Sequence, residues 1–228
     1  MTDISAPPAD RRSTFDDEAV HDLLRGVAAL TGSTLVGDLA RAVAKTPRAD
    51  LSIAFNHKQL GSKLWLREEW IAFNRAPDVR ALVVGGWHGA LSALLLDDPR
   101  AGVAHATSLD IDPGCAPVAR ELNRRFAEQG RFEAVTADMY DFDYRAQPFD
   151  CVINTSCEHI ADLRGWLGLL PDGATVVLQS NDYRREPDHI ACVDSLEDFE
   201  AQAGLAAVFF RGERPTKNYR RFMLIGRR

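Results

Sequence analysis

Cysteine is scarce in this chain: four among 228 residues, at Cys115, Cys151, Cys157 and Cys192. None forms a C-x-x-C pair, and no cysteine–histidine set has zinc-site spacing, so the sequence implies neither a disulfide framework nor a metal. Long apolar runs are absent too. Ala90 to Leu96, broken by Ser92, falls well short of the about 20 residues that span a bilayer. Met1 to Arg12 is polar, carries Pro7 and Pro8, and lacks the basic-then-apolar order of a signal peptide. The expectation is a cytoplasmic protein whose thiols stay reduced and pack as small hydrophobes, with no membrane partner. Basic charge is in deficit as well: 27 Lys and Arg stand against 33 Asp and Glu, a net charge of −6. That excludes a broad phosphate-binding face, and with it generic nucleic-acid binding, while leaving room for a local basic pocket.

What is present suits a soluble globular protein, with 46% hydrophobic and 26% charged residues. Residues 1–13 read as a disordered lead-in. Residues 14–76 read as a helical lid segment, because Val20, Leu23, Leu24, Val27 and Leu30, then Leu35, Leu39 and Val43, recur at helical spacing. Thr31-Gly32-Ser33 divides the two runs, and Ser33 is placed to cap the second. A third helix is predicted from Leu60 to Phe73.

After Pro77 the pattern changes to strands alternating with helices, which implies a parallel sheet with right-handed crossovers. Strands are predicted at Arg80 to Val84, Ala104 to Ile111, Phe132 to Thr136, Phe149 to Asn154, Thr175 to Gln179, Ala206 to Arg211 and Phe222 to Gly226. Helices are predicted from Ala90 to Leu96, Pro113 to Gln129, Glu158 to Leu170 and Ser195 to Ala203. No helix separates the last two strands, so the final one should run antiparallel. The result is a seven-stranded Rossmann-like α/β domain over residues 77–228. Open sheets of this kind bind ligands at the carboxyl ends of their strands, so the residues just after each strand carry the functional information.

The first strand runs into Gly85-Gly86-Trp87-His88-Gly89, a loop in which glycine permits a tight turn and close approach to a ligand. The second runs into Asp110-Ile111-Asp112-Pro113. An acid there can accept hydrogen bonds from both ribose hydroxyls, whereas Asp112 better suits a helix cap. The third runs into Asp138-Met139-Tyr140: the carboxylate can accept from an adenine amino group and Met139 can pack on the ring. The fourth runs into Asn154-Thr155-Ser156-Cys157-Glu158-His159. Thr155 or Ser156 could cap the next helix, with Glu158 near its N-terminus, and His159 is as well explained by packing as by a role as base. The fifth runs into Gln179-Ser180-Asn181-Asp182-Tyr183, with His189 placed to fold over it or to lie in a surface loop. On the N-terminal segment, Gln59, Ser62 and Lys63 occupy adjacent turns of one helix.

These motifs, in this order and at these intervals, resemble those of the class I S-adenosylmethionine (SAM) dependent methyltransferases, over about Arg80 to Arg228. The resemblance implies that Gly85, Gly86 and Gly89 line the methionine part of SAM, that Asp110 holds the ribose, and that Asp138 and Met139 frame the adenine; Ile111 and Tyr140 are further cofactor-binding candidates, Tyr140 as an aromatic face for the sulfonium. Gln59, Ser62 and Lys63 would then close over the methionine amino-acid group. Two positions depart from the pattern: Val83 stands where the family has an acidic residue, and Trp87 replaces the middle glycine. Trp87 could instead offer a ring face to the sulfonium.

Asn154, Ser156, Glu158, His159, Asn181 and Tyr183 are the candidates for catalysis. The expected reaction is methyl transfer to a small acceptor, since the chain shows no inserted substrate domain. An alternative is cyclisation of SAM itself, its α-amine attacking its γ-carbon to give azetidine-2-carboxylate and methylthioadenosine, as in some small members of the same fold. A non-catalytic SAM-binding module and a nicotinamide-dependent dehydrogenase are further readings; the incomplete G-x-G-x-x-G order disfavours the second. Monomer and homodimer are both open.

Overall fold

The computed structural model describes residues 17–46, 49 and 51–228. The lead-in expected over residues 1–13 lies outside them. Seven strands form one sheet: β1 (Val79–Val84), β2 (Val103–Asp110), β3 (Phe132–Thr136), β4 (Cys151–Asn154), β5 (Thr175–Asn181), β6 (Ala207–Pro215) and β7 (Arg220–Arg227). Their spatial order is β3-β2-β1-β4-β5-β7-β6. β1 pairs in parallel with β2 and β4, β2 with β3, and β4 with β5. β7 runs antiparallel between β5 and β6. The order reverses at β1, so the crevice between the loops after β1 and β4 is where such a sheet opens to a ligand.

Nine α-helices accompany the sheet among the described residues: α1 (Asp17–Thr31), α2 (Thr34–Lys45), α3 (Leu51–Ala54), α4 (His57–Phe73), α5 (Ala90–Asp97), α6 (Cys115–Leu122), α7 (Arg124–Glu128), α8 (Leu163–Leu169) and α9 (Leu196–Ala203). The central strands are apolar on both faces because both are covered. On one face Ala81 and Val83 of β1 pack with Ile153, Val177 and Met223 against Leu66 and Trp70 of α4 and Leu91 and Leu95 of α5. On the other, Leu82 and Val84 pack with Val152, Val176 and Leu224 against Leu163, Trp166 and Phe199. A third cluster joins Leu39 and Val43 of α2 to Ala90 and Ala93 of α5 and to Val118 and Leu122 of α6. Ser33 caps α2 by accepting from the Val36 amide at 3.3 Å, as its position predicts.

The helix expected from Pro113 to Gln129 is two helices. It breaks at the fully buried Asn123, whose amide group donates to the carbonyls of Gly89 (3.1 Å) and Ala119 (2.9 Å). A side chain spent on the first glycine loop ties α6 to the turn before α5, and the chain restarts its helix one residue later. The helix expected from Glu158 starts instead at Leu163. Cys157–His159 forms a single 3-10 turn, and Asp162 is the cap, accepting from the Gly165 amide at 2.8 Å. Neither Thr155 nor Ser156 caps that helix. β5 runs on through Asn181, so that residue is in the sheet and not in the loop beyond it.

Candidate active site

A cavity of about 600 Å3 opens at the carboxyl ends of the parallel strands. Gly85, Gly86 and Trp87 after β1, Asp110 and Ile111 after β2, Met139 after β3, and Asn154, Thr155, Ser156 and His159 after β4 all line it. Gln59 and Lys63 of α4 close one side, and Asp188, from the segment after β5, closes another. No lining residue comes from α1, α2 or α3.

The glycine turn has three different reasons for its glycines. Gly85 has φ +65°, the left-handed region that favours glycine. Gly86 lies so close to β2 that a Cβ there would stand 2.1 Å from Ser108 Oγ. Gly89 also has a positive φ, and a Cβ on it would meet Asn123 Nδ2 at 2.6 Å and Ala119 Cβ at 3.0 Å. Gly89 is therefore the position where α5 and α6 touch. It does not line the cavity, contrary to the expectation that it would flank a methionine group.

Trp87 adopts φ +48°, a conformation a bulky side chain rarely takes. Its amide donates to Asp110 Oδ2 at 2.7 Å, which holds the turn, and its ring stacks on His88 with centroids 4.7 Å apart. The other Asp110 oxygen accepts from the Asp112 amide at 3.1 Å. Asp110 thus braces the loops after β1 and β2 together at the cavity floor.

Asp138 accepts from the Tyr140 amide at 2.8 Å and is not among the cavity lining; Tyr140 is exposed. Of that group Met139 alone faces the cavity. It is anchored by Tyr144, whose hydroxyl donates to the Met139 carbonyl at 2.7 Å and accepts from Trp166 Nε1 at 2.7 Å. Burial pushes the Tyr144 phenol up to about 12, so it remains a donor throughout the physiological range.

Asn154 is buried at the end of β4, with Oδ1 accepting from the Ser156 amide at 2.8 Å. Glu158, Asn181, Tyr183 and Ser62 do not line the cavity. Three of them belong to a buried polar layer behind it. Asn181 Nδ2 donates to Glu158 Oε1 at 2.6 Å, and Arg221 Nη1 lies 3.6 Å from the same oxygen. Arg221 also donates to Gln179 Oε1 at 3.3 Å and to the Thr155 carbonyl. Ser62 donates to Gln179 Oε1 at 2.8 Å. Tyr183 sits in the outer loop against Tyr219, ring centroids 5.4 Å apart. Lys63 donates to Gln59 Oε1 at 3.0 Å. Its ammonium is pushed down to about 8, chiefly by burial, with Arg221 adding to the shift and Glu158 opposing it.

Sequence reasoning missed Arg221, Tyr144 and Asp188. Arg221 lies in a strand that reads as plain hairpin, and Asp188, which walls the cavity, faces His159 Nδ1 with its carbonyl at 3.0 Å and its carboxylate at 3.4 Å.

Comparison with family models and with curated proteins finds no match. Solved structures do match in fold. The N-methyltransferase NodS from Bradyrhizobium japonicum WM9, with S-adenosyl-L-homocysteine bound, superposes with a TM-score of 0.58 at 13% identity, over 79% of this chain and 93% of that one. The cyclase SpnF gives 0.59 at 14% identity, over 85% and 92%. Geranyl diphosphate C-methyltransferase from Streptomyces coelicolor A3(2) gives 0.57 at 10%, over 75% and 77%. The chain has the class I SAM-dependent methyltransferase fold, terminal antiparallel hairpin included. No described helix is long and apolar enough to cross a membrane.

Proposed function

We propose that this chain is a SAM-dependent methyltransferase acting on a small molecule. The observation that carries the reading is convergence: Gly85 and Gly86, Asp110, Met139 and Asn154, from the ends of four separate strands, line one cavity. Its volume lies within the range of cofactor and small-molecule sites. In this reading Asp110 accepts from the ribose hydroxyls, Met139 and Ile111 pack on the adenine, and the backbone at Gly85 and Gly86 passes the methionine chain. Lys63 pairs with its carboxylate, held toward it by Gln59. The acceptor occupies the end walled by Asn154, Ser156 and His159, where in-line approach to the methyl carbon and exclusion of water supply the catalysis.

Incubation with SAM and a mixture of small-molecule acceptors, followed by mass analysis, should release S-adenosylhomocysteine in step with a methylated product. Methylthioadenosine from SAM alone would replace this reading with intramolecular attack by the α-amine, and failure to bind SAM would overturn both. Asn154→Ala should lower kcat roughly tenfold or more while changing SAM affinity less; equal losses would make Asn154 a binding residue only.

Lys63 supplies a pH test. A folded-state value of about 8 against an ordinary 10.5 means the unfolded chain binds more protons between those limits, so the Lys63 contribution to stability rises with pH there. Cofactor binding has the opposite sign, because only the ammonium pairs with a carboxylate. S-adenosylhomocysteine affinity should fall as pH rises through 8, and Lys63→Met should remove that part of the fall. Calorimetry over pH 7 to 9.5 on both proteins checks it, and parallel profiles would release Lys63 from the role.

A further inference from the structure

The structure assigns a divalent transition-metal site to Glu158, His159 and His189, beside the acceptor end of the cavity, where His159 is the member that lines it. One carboxylate oxygen and one nitrogen from each imidazole lie within 4.8 Å of one another. The hydrogen bonds behind them select the ligating form of each ring. His159 Nδ1 faces the Asp188 carbonyl at 3.0 Å, and His189 Nδ1 faces the Tyr183 carbonyl at 2.6 Å. A carbonyl only accepts, so each Nδ1 carries its proton, and in the neutral ring Nε2 keeps a free lone pair. Histidines that bind metals are oriented by this kind of outer bond.

Glu158 makes the independent case. It is 3% exposed, yet only one of its oxygens is satisfied. Oε1 takes the Asn181 amide and faces Arg221, while Oε2 is buried without a hydrogen-bond partner. An orphaned carboxylate oxygen in a buried site is costly, and coordination would satisfy it. Arg221 and Asn181 then fix the carboxylate so that one oxygen is offered.

Two imidazoles and one carboxylate suit Zn2+, Co2+ or Fe2+ better than Mg2+ or Ca2+, and leave positions open for a further ligand. Coordination at about 2.0–2.2 Å would set the three donors around one ion between the 183–190 segment and the Cys157–His159 turn. Because His159 also lines the cavity, the ion would meet an acceptor oxygen or nitrogen and favour loss of its proton. That role rests on the methyltransferase reading; the ion site does not.

The test is titration of the metal-stripped full-length protein with Zn2+ by calorimetry and with Co2+ by visible absorption. One equivalent should bind, and Co2+ should show d–d bands without a thiolate charge-transfer band. His189→Ala and Glu158→Gln should each weaken binding about tenfold or more. His189→Ala guards against a folding artefact in the buried Glu158 variant. Absence of binding, or wild-type affinity in His189→Ala, overturns the site. S-adenosylhomocysteine binding, measured separately, decides the cofactor reading without bearing on the ion.

Discussion

Replacing Arg221 by methionine is expected to lower the free energy of unfolding by about 3–5 kcal/mol, the usual cost of removing one partner from a buried ion pair. The Arg221 and Glu158 side chains are 7% and 4% exposed, and the guanidinium has three partners: Glu158, Gln179 and the Thr155 carbonyl. Methionine fills similar space but leaves the Glu158 charge with Asn181 as its remaining hydrogen-bond donor. It also frees the loop after β4, which Arg221 holds to β7. The double variant Glu158→Gln with Arg221→Met should be more stable than Arg221→Met alone, because no buried charge remains. Urea unfolding with an unchanged m-value measures both. A loss below about 1 kcal/mol for the single variant would mean that water or neighbouring groups already compensate Glu158.

Asp110→Ala should weaken binding of SAM or S-adenosylhomocysteine by about 1–3 kcal/mol, roughly 5- to 150-fold in affinity. Two contributions add. The ribose loses a charged acceptor, and the turn loses the bond from Trp87 that holds its left-handed backbone in place. Asp110→Asn separates them: an amide oxygen can keep the Trp87 bond but not the charge, so it should recover the melting temperature more fully than the affinity. Calorimetry alongside thermal unfolding reads both effects, and unchanged affinity in Asp110→Ala would place the ribose elsewhere.

The strand–helix alternation was legible because the buried strands of a parallel sheet are apolar on both faces. The stretch 81–84 shows this: consecutive residues serve opposite layers, so the run has no alternation to confuse with a surface strand. The turns at the sheet rim were legible for a related reason. Gly86 and Gly89 are glycines because a Cβ would collide with Ser108 and with Asn123 and Ala119, and these needs arise wherever a strand turns tightly into a helix. The same fact bears on Gly89, which stands at the α5–α6 contact and not in the cavity lining. A glycine required for helix contact and a glycine required for a ligand look alike in one dimension.

The breaks at Asn123 and before Leu163 were not legible, since each depends on a partner distant in sequence. Asn123 leaves the helix to bond the Gly89 carbonyl, and the 3-10 turn at Glu158 is held by a carboxylate that answers to Asn181 and Arg221. Asp138 and Tyr140 stand at the predicted strand end yet are not among the residues that line the cavity, and the Asp138 carboxylate accepts from the Tyr140 amide within its own turn.

By itself the sequence determined the order of strands and helices, the places where the chain turns back at the sheet rim, and the residue types those turns offer. These follow from local patterns of burial and backbone freedom. Only the tertiary structure decided which of those residues share a cavity, which pass behind it as a buried polar layer, and that His159 and His189 meet. Long-range pairing sets those choices: whether a side chain faces the cavity or a neighbour depends on the register of strands and loops far apart in the chain.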